Sequence, residues 1–394
     1  MPYEAMIDQS ELLDFSQNYV IQRPANVIDR FFTDEKTASL MAKWFYLTGN
    51  DQIPAVATAH AFDTEAQIAS RVIPKMIEIR KLLIKRKINQ SERLQLLEER
   101  GGLNNAILND VLFNDVRMLA DSVKDRTLVA KAEVLATGTM SVKENDLDIA
   151  VDYGVPDENK MTLDWSQNDV DYLGDIQKVV DVATESGRTI TGMITSRKNI
   201  SKMMLNKNIQ TAILGTNGSG AMVSRMQIQA LLAEYFGFSE IVVSDDKYKV
   251  ENADGTTTMH RYFPEDVVTF YARTGASLGV GLWGVTPEEA KQGAFTQKSM
   301  NQFITITQWE KPDPVAVWTK ASGLFIPVLP DPSSLFICNV GGTKAVRTRT
   351  RNTKASDTKV EDTKVEDTKV EDTKVEDTKV EDTKKANQKK DVIE

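Results

Sequence analysis

Cysteine and histidine are nearly missing from this 394-residue chain, which holds one cysteine, Cys338, and two histidines, His60 and His260. A single cysteine excludes an internal disulfide. Two histidines exclude a Cys/His zinc cluster of the usual kind, and no Ser/His/Asp or Cys/His catalytic set can be placed. No apolar run approaches the ~20 residues that a membrane helix needs. The first residues, MPYEAMIDQSELLDF, lack the basic-then-apolar order of a signal peptide, so a reducing cytoplasm is the expected site of synthesis. A surplus of positive charge is missing too: 48 Lys and Arg stand against 57 Asp and Glu, a net charge of −9 and a pI of about 5.1. Nucleic acid repels such a chain as a whole, which excludes a dedicated DNA binder. Neither a cofactor nor a catalytic residue is expected, and the chain reads as a non-enzyme.

What is present is an ordinary globular composition, 41% hydrophobic, long enough for two or three domains. Between Asn105 and Thr137 the residues Ile107, Leu108, Val111, Leu112, Val116, Leu119, Val123, Leu128, Ala132 and Leu135 recur at three- and four-residue steps. They predict one helix about 50 Å long, ended by Gly138. After it, Leu147, Ile149, Val151 and Tyr153 alternate with Asp146, Asp148, Ala150 and Asp152, the pattern of a half-buried strand.

From Trp165 to about Phe270 helical and strand patterns alternate: helices over 171–186, 196–205 and 223–236, strands over 189–195 and 240–244, and a hairpin turning at Asp254-Gly255. Residues 53–87 read two ways. Arg71, Lys75, Arg80, Lys81, Lys85, Arg86 and Lys87 interleave with Ile73, Met76, Ile77, Ile79, Leu82, Leu83 and Ile84, as in a basic amphipathic helix for a membrane surface or an acidic partner. Pro74 argues against an unbroken helix, and the run Val56 to Phe62 can pair with the second half, so a long hairpin is the expectation.

Gly279, Gly281 and Gly284 spell Gly-x-Gly-x-x-Gly ahead of the helix-start signal Thr286-Pro287-Glu288-Glu289. Trp283 crowds the turn and no strand ending in an acid follows at the right distance, so a dinucleotide-binding turn is rejected. Asp146, Asp148 and Asp152 would suit a hard cation, but a solvated strand face or pairing with a basic loop is the expectation, and no metal site is assigned.

Three segments, in this order, resemble the lambda-like major capsid protein E family of tailed phages. They are TGTMSVKENDLDIAVDYGVPDENKMTLDW from Thr137, FPEDVVTFYARTGASLGVGLWGVTPEEA from Phe263, and Phe303 to Val340 with its ITITQWEKPDPVAVW and LPDPSSLF. The likeness runs from about Arg23 to Val340. It implies an α+β fold of the Hong-Kong-97 type: an N-terminal arm (1–50), an extended β-hairpin loop (51–88), a peripheral domain with a long spine helix (89–165 with 263–340) and an α/β axial domain (166–262). In this reading the Pro-Asp-Pro elements punctuate edge strands.

The resemblance further implies self-assembly as hexamers and pentamers into an icosahedral shell around double-stranded DNA held without sequence specificity. The partners would be a separate scaffolding protein, a portal, a maturation protease and a decoration protein, with no membrane involved. The basic residues from Arg71 to Lys87, and Asp146, Asp148 and Asp152, would then serve as an assembly interface between copies. Rival readings are a cytoplasmic protein that engages a membrane or acidic partner through 71–87, and a nanocompartment shell protein of the same fold.

The chain departs from the family after Val340. Lys344, Arg347, Arg349, Arg351 and Lys354 form a basic stretch suited to DNA or partner contact, and Asp-Thr-Lys-Val-Glu then repeats five times from Asp357 to Glu381. A period of five lines no common face of a helix or a strand, so 341–394 is expected to be a disordered tail.

Overall fold

The computed structural model describes residues 26–341 apart from 48–55, 61, 63–64, 66–67, 69–72, 91–104, 146, 168, 216–221, 253, 274, 292–296, 302 and 313–314. Several expectations lie outside the described residues: most of the N-terminal arm, the tail with Lys344, Arg347, Arg349, Arg351 and Lys354, and the two residues Arg71 and Asp146.

The described chain starts with a single 3-10 turn and strand β1 (Phe32–Thr37), followed by β2 (Met41–Tyr46), β3 (Lys75–Arg80) and β4 (Leu82–Gln90). Helix α1 runs over Asn105–Thr137, the span its periodicity predicts. Gly138, at φ 71°, ends it and hands the chain to the antiparallel hairpin β5 (Thr139–Glu144) and β6 (Leu147–Asp152). In β6 Val151 is buried, Ile149 is half-buried and Asp148, Ala150 and Asp152 are exposed, as the alternation predicts, but Leu147 at the start of the strand is exposed.

Strand β7 (Lys160–Thr162), helix α2 (Tyr172–Glu185), β8 (Gly192–Thr195), α3 (Arg197–Leu205), α4 (Lys207–Leu214), α5 (Arg225–Phe236) and β9 (Glu240–Val243) follow. The helix starts obey local rules. Asp171, Ser196 and Asn206 accept backbone N–H groups of the first turns, and Ser224 with Gln227 closes a capping box. Helix α4 was not legible in the periodicity, being only eight residues long.

The hairpin β10 (Lys247–Glu251) and β11 (Thr257–Arg261) turns at Gly255. Then come β12 (Val267–Tyr271), β13 (Gly279–Gly284), the short helix α6 (Pro287–Ala290), β14 (Gln297–Asn301), β15 (Ile304–Pro312), β16 (Val315–Val328) and β17 (Leu335–Asn339).

Two sheets carry the architecture. The first has the order β1-β13-β16-β15-β14, and β4 pairs with β16 over Val317 to Phe325. The second has the order β7-β17-β12-β8-β9. Helix α1 packs on β16 and β4 and reaches β12 and β17 with its C-terminal turns, where Ala130, Ala132, Val134, Leu135 and Ala136 are all buried. Strands β12 and β17 divide their side chains between two cores. Tyr271, Leu335 and Ile337 join the α1 core, while Val268, Phe270, Phe336 and Cys338 join the core under α2 to α5. The expected division after residue 262 therefore runs through a single sheet. Sheet pairing joins segments far apart in sequence, and no local pattern records it.

Two further expectations are corrected. Residues 56–60 form no strand and do not pair with the basic segment; β3 pairs with β2, from Met41↔Arg80 to Tyr46↔Lys75, and β4 joins the large sheet. Strands β15, β16 and β17 are interior, not edge, strands; Pro312 ends β15, and Pro330 and Pro332 lie between β16 and β17.

Candidate functional site

The basic segment is two strands, so its cations divide by strand face. Lys75 and Arg80 are exposed on β3. Lys81, at the junction of β3 and β4, is 2% exposed, and its Nζ donates to Thr37 Oγ1, to Ser39 O at 2.8 Å and to Trp283 O at 3.1 Å. Burial pulls its pKa below the usual lysine value. Lys81 is thus a structural pin between β1, β2 and β13, and its expected place on an exposed interface is corrected. An isolated charge is tolerated there because three oxygens surround it.

The next cations are committed within the chain. Lys85 pairs with Glu288 at 3.0 Å, Arg86 with Glu251 at 2.7 Å, and Lys87 Nζ lies 4.4 Å from the ring centre of Trp318. Glu288 also receives Lys320 at 2.8 Å. Burial would raise the Glu288 pKa, but hydrogen bonds from Lys320 and Lys85 outweigh it and hold the carboxyl down at about 2.

A depressed carboxyl contributes stability above its unfolded pKa of about 4.5 and loses it as pH falls towards 2. With solvent screening allowed for, the contribution is roughly 1–2 kcal/mol. Glu288→Gln is therefore expected to lower the melting temperature by a few degrees at pH 7. Scans at stepwise lower pH should show the gap closing between about pH 5 and 2.

Of the acids, Asp148 pairs with Lys143 at 3.2 Å, and Asp152 Oδ1 accepts the Gly154 N–H at 2.9 Å. Among the described residues no group of three or more His, Cys, Asp or Glu could hold a metal ion.

The Gly-x-Gly-x-x-Gly residues form strand β13, not a turn. A Cβ on Gly279 would lie 2.5 Å from Phe32 Cε1 and 2.6 Å from Val328 O, one on Gly281 2.1 Å from Asp34 Oδ1, and one on Gly284 2.5 Å from Leu324 Cδ2. These glycines make room for the side chains of β1 and β16. Cys338 is buried, and burial pushes its thiol up to about 12, which makes it an inert core residue.

Sequence reasoning missed Lys131. This α1 side chain is 1% exposed, donates to Asp29 at 2.5 Å and to Asp34 at 2.9 Å, and lies within 6 Å of the Phe32 and Phe325 rings. It clamps the start of β1 to α1. A lysine inside an otherwise apolar helical stripe was the available signal.

The basic strand and the β5–β6 hairpin do meet. Together with α1 they enclose a cleft of about 550 Å³, lined by Arg80, Lys81, Leu82, Leu83, Ile84, Lys85, Arg86, Ser122, Val123, Arg126, Val142, Glu144, Asn145, Leu147 and Ile149. Its lining combines apolar side chains with five cations and a single acid, Glu144.

The sequence profile described as Phage major capsid protein E matches residues 18–340, most of the chain. No curated protein matches it. Among solved structures, the chain is similar to a phage-related protein of Bordetella bronchiseptica RB50, with 11% identity and a TM-score of 0.49 over 85% of this chain and 97% of that one. It is similar also to a chain described as a prophage capsid protein of Escherichia coli CFT073, with 15% identity and a TM-score of 0.47 over 68% and 79%. A third is the capsid of cyanophage P-SCSP1u, with 10% identity and a TM-score of 0.45 over 82% and 90%. On the strength of the profile match, the chain belongs to the phage major capsid protein E family and is a shell-forming structural protein of the phage virion.

Proposed function

We propose that the subunits assemble as hexamers and pentamers into an icosahedral shell that encloses double-stranded DNA, after synthesis in the host cytoplasm. The observation that carries this reading is the excursion between β2 and β3. Val56, Phe62, Ile68 and Ile73 in this stretch are 83% to 100% exposed. Phe45 and Met76, opposite one another on the ribbon that bears the excursion, are more than half exposed as well. Burying such a side chain is worth roughly 1.5–3 kcal/mol, and nothing among the described residues of this chain covers the surface. Repeating copies of the chain supply such a cover many times over. The ribbon with its excursion corresponds to the extended loop, α1 to the spine helix, and the five-stranded sheet with α2 to α5 to the axial unit.

The membrane-helix alternative loses its footing, because the described part of the basic segment is two strands with several cations already paired. A separate scaffolding protein, a portal, a maturation protease and a decoration protein belong to the proposal as partners.

Negative-stain electron microscopy of the high-molecular-weight fraction, with light scattering alongside, tests the reading. Closed or aberrant shells, tubes, hexamers or pentamers are expected. A clean monomer or dimer at high concentration, with candidate scaffold supplied, would overturn it. Uniform shells formed without any other phage protein would count against the separate scaffold.

A further inference from the structure

We infer that the cleft between β4, α1 and the β5–β6 hairpin is the docking site of the acidic N-terminal segment of its own chain, residues 3–15. The cleft wall carries Arg80, Lys85, Arg86 and Arg126 against a single acid, Glu144. Three of these cations already have acid partners, Lys85 with Glu288, Arg86 with Glu251 and Arg126 with Glu144. Among the described residues Arg80 has no ion pair. On the rim Leu83 and Leu147 are 40% and 38% exposed, so an occupant must offer apolar side chains as well as negative charge.

The N-terminal segment has that composition. Glu4, Asp8, Glu11 and Asp14 recur at three- and four-residue steps, Ile7, Leu12 and Leu13 lie between them, Phe15 follows, and no lysine or arginine precedes Arg23. Charge complementarity of this kind sets register and speeds encounter.

The segment is also within reach. Asn26 Nδ2 donates to Asp246 Oδ2 at 3.1 Å, Tyr262 N donates to Asp246 O at 3.1 Å, and Tyr262 Oη donates to Asp125 at 2.8 Å. Asp125 neighbours Arg126 of the cleft wall. Ten residues, 16–25, separate the segment from Asn26, and a chain of that length reaches at most about 33–36 Å. The segment lies upstream of residue 18, where the match to the family begins, and the inference does not depend on how copies are arranged in a shell.

Zero-length carbodiimide cross-linking of the full chain tests this, in dilute solution and on an equal mixture of 15N-labelled and unlabelled protein, read by mass spectrometry after proteolysis. Adducts joining Glu11 or Asp14 to Lys85, within one label, are expected. The Lys85–Glu288 pair serves as an internal positive control. Arg80→Glu and Leu83→Asp, both at exposed positions, should each lower the N-terminal adduct yield about fivefold while the Lys85–Glu288 adduct persists. Three outcomes overturn the inference: adducts only between labels, which assign the cleft to a second copy; N-terminal adducts absent or directed elsewhere; or yields unchanged in both variants.

Discussion

Replacing both Asp29 and Asp34 with asparagine is expected to destabilise the chain by about 3–5 kcal/mol, a fall of roughly 10 °C in melting temperature. The reason is the position of Lys131, whose side chain is 1% exposed and whose two anionic partners are these carboxylates. Burial disfavours the charge of Lys124, also on α1, as does Lys131, while Asp29, Asp34 and Asp121 favour it, so the double variant removes two of the three acids that offset the burial. A buried charge without a partner cannot recover its hydration, and the rings of Phe32 and Phe325 beside it offer only weak compensation. Adding Lys131→Met to the double variant should restore most of the loss, because a similar apolar side chain fills the space without charge. Thermal unfolding of the single, double and triple variants reads the cycle. A double variant within 1 kcal/mol of the parent, or a triple variant no better than the double, would show that the clamp carries little.

Gly279→Val should be the most damaging single change in β13. Even the first added carbon would stand 2.5 Å from the Phe32 ring and 2.6 Å from the Val328 carbonyl oxygen, and the second of these is backbone that cannot turn aside. Because β1 pairs in parallel with β13, with Phe32 opposite Gly279, separating the two strands would also disturb the Lys131 clamp beside them. Alanine is expected to cost about 1–3 kcal/mol and valine more. Gly275→Ala, where nothing lies within 4 Å of the added carbon, should change stability by no more than about 0.5 kcal/mol. Urea unfolding of the three variants tests the order. If valine at 279 matched alanine at 275, the glycines of β13 would need another explanation.

The parts of the molecule written in short-range pattern were legible. The span of α1, the break at Gly138, the alternation in β6, the turn at Gly255 and the capped start of α6 at Thr286 all rest on residues within one or two turns of each other. The resemblance to the capsid family could be read for the same reason, since it lies in contiguous segments. Less could be read of the candidate surface. Seven basic residues at near-regular spacing look equivalent along the chain, yet the alternation of β3 and β4 and the neighbours brought by β1, β13, β16 and α6 bury Lys81, bind Lys85 to Glu288 and leave Arg80 outside.

Composition and periodicity alone therefore settled the exclusions and the local elements: no disulfide, no Cys/His zinc cluster, a spine-length helix, and a pentapeptide repeat that can line no common face. Tertiary structure decided which elements share a sheet. It joined β12 and β17 to β8 and β9 across the expected boundary, sent β3 to β2 instead of to residues 56–60, and made a Gly-x-Gly-x-x-Gly motif into a strand floor for Phe32 and Asp34. The physical reason is common to all three. Strand pairing and charge burial are set by partners dozens to hundreds of residues away, and a local pattern records only that a strand or a charge wants a partner, never which one it finds.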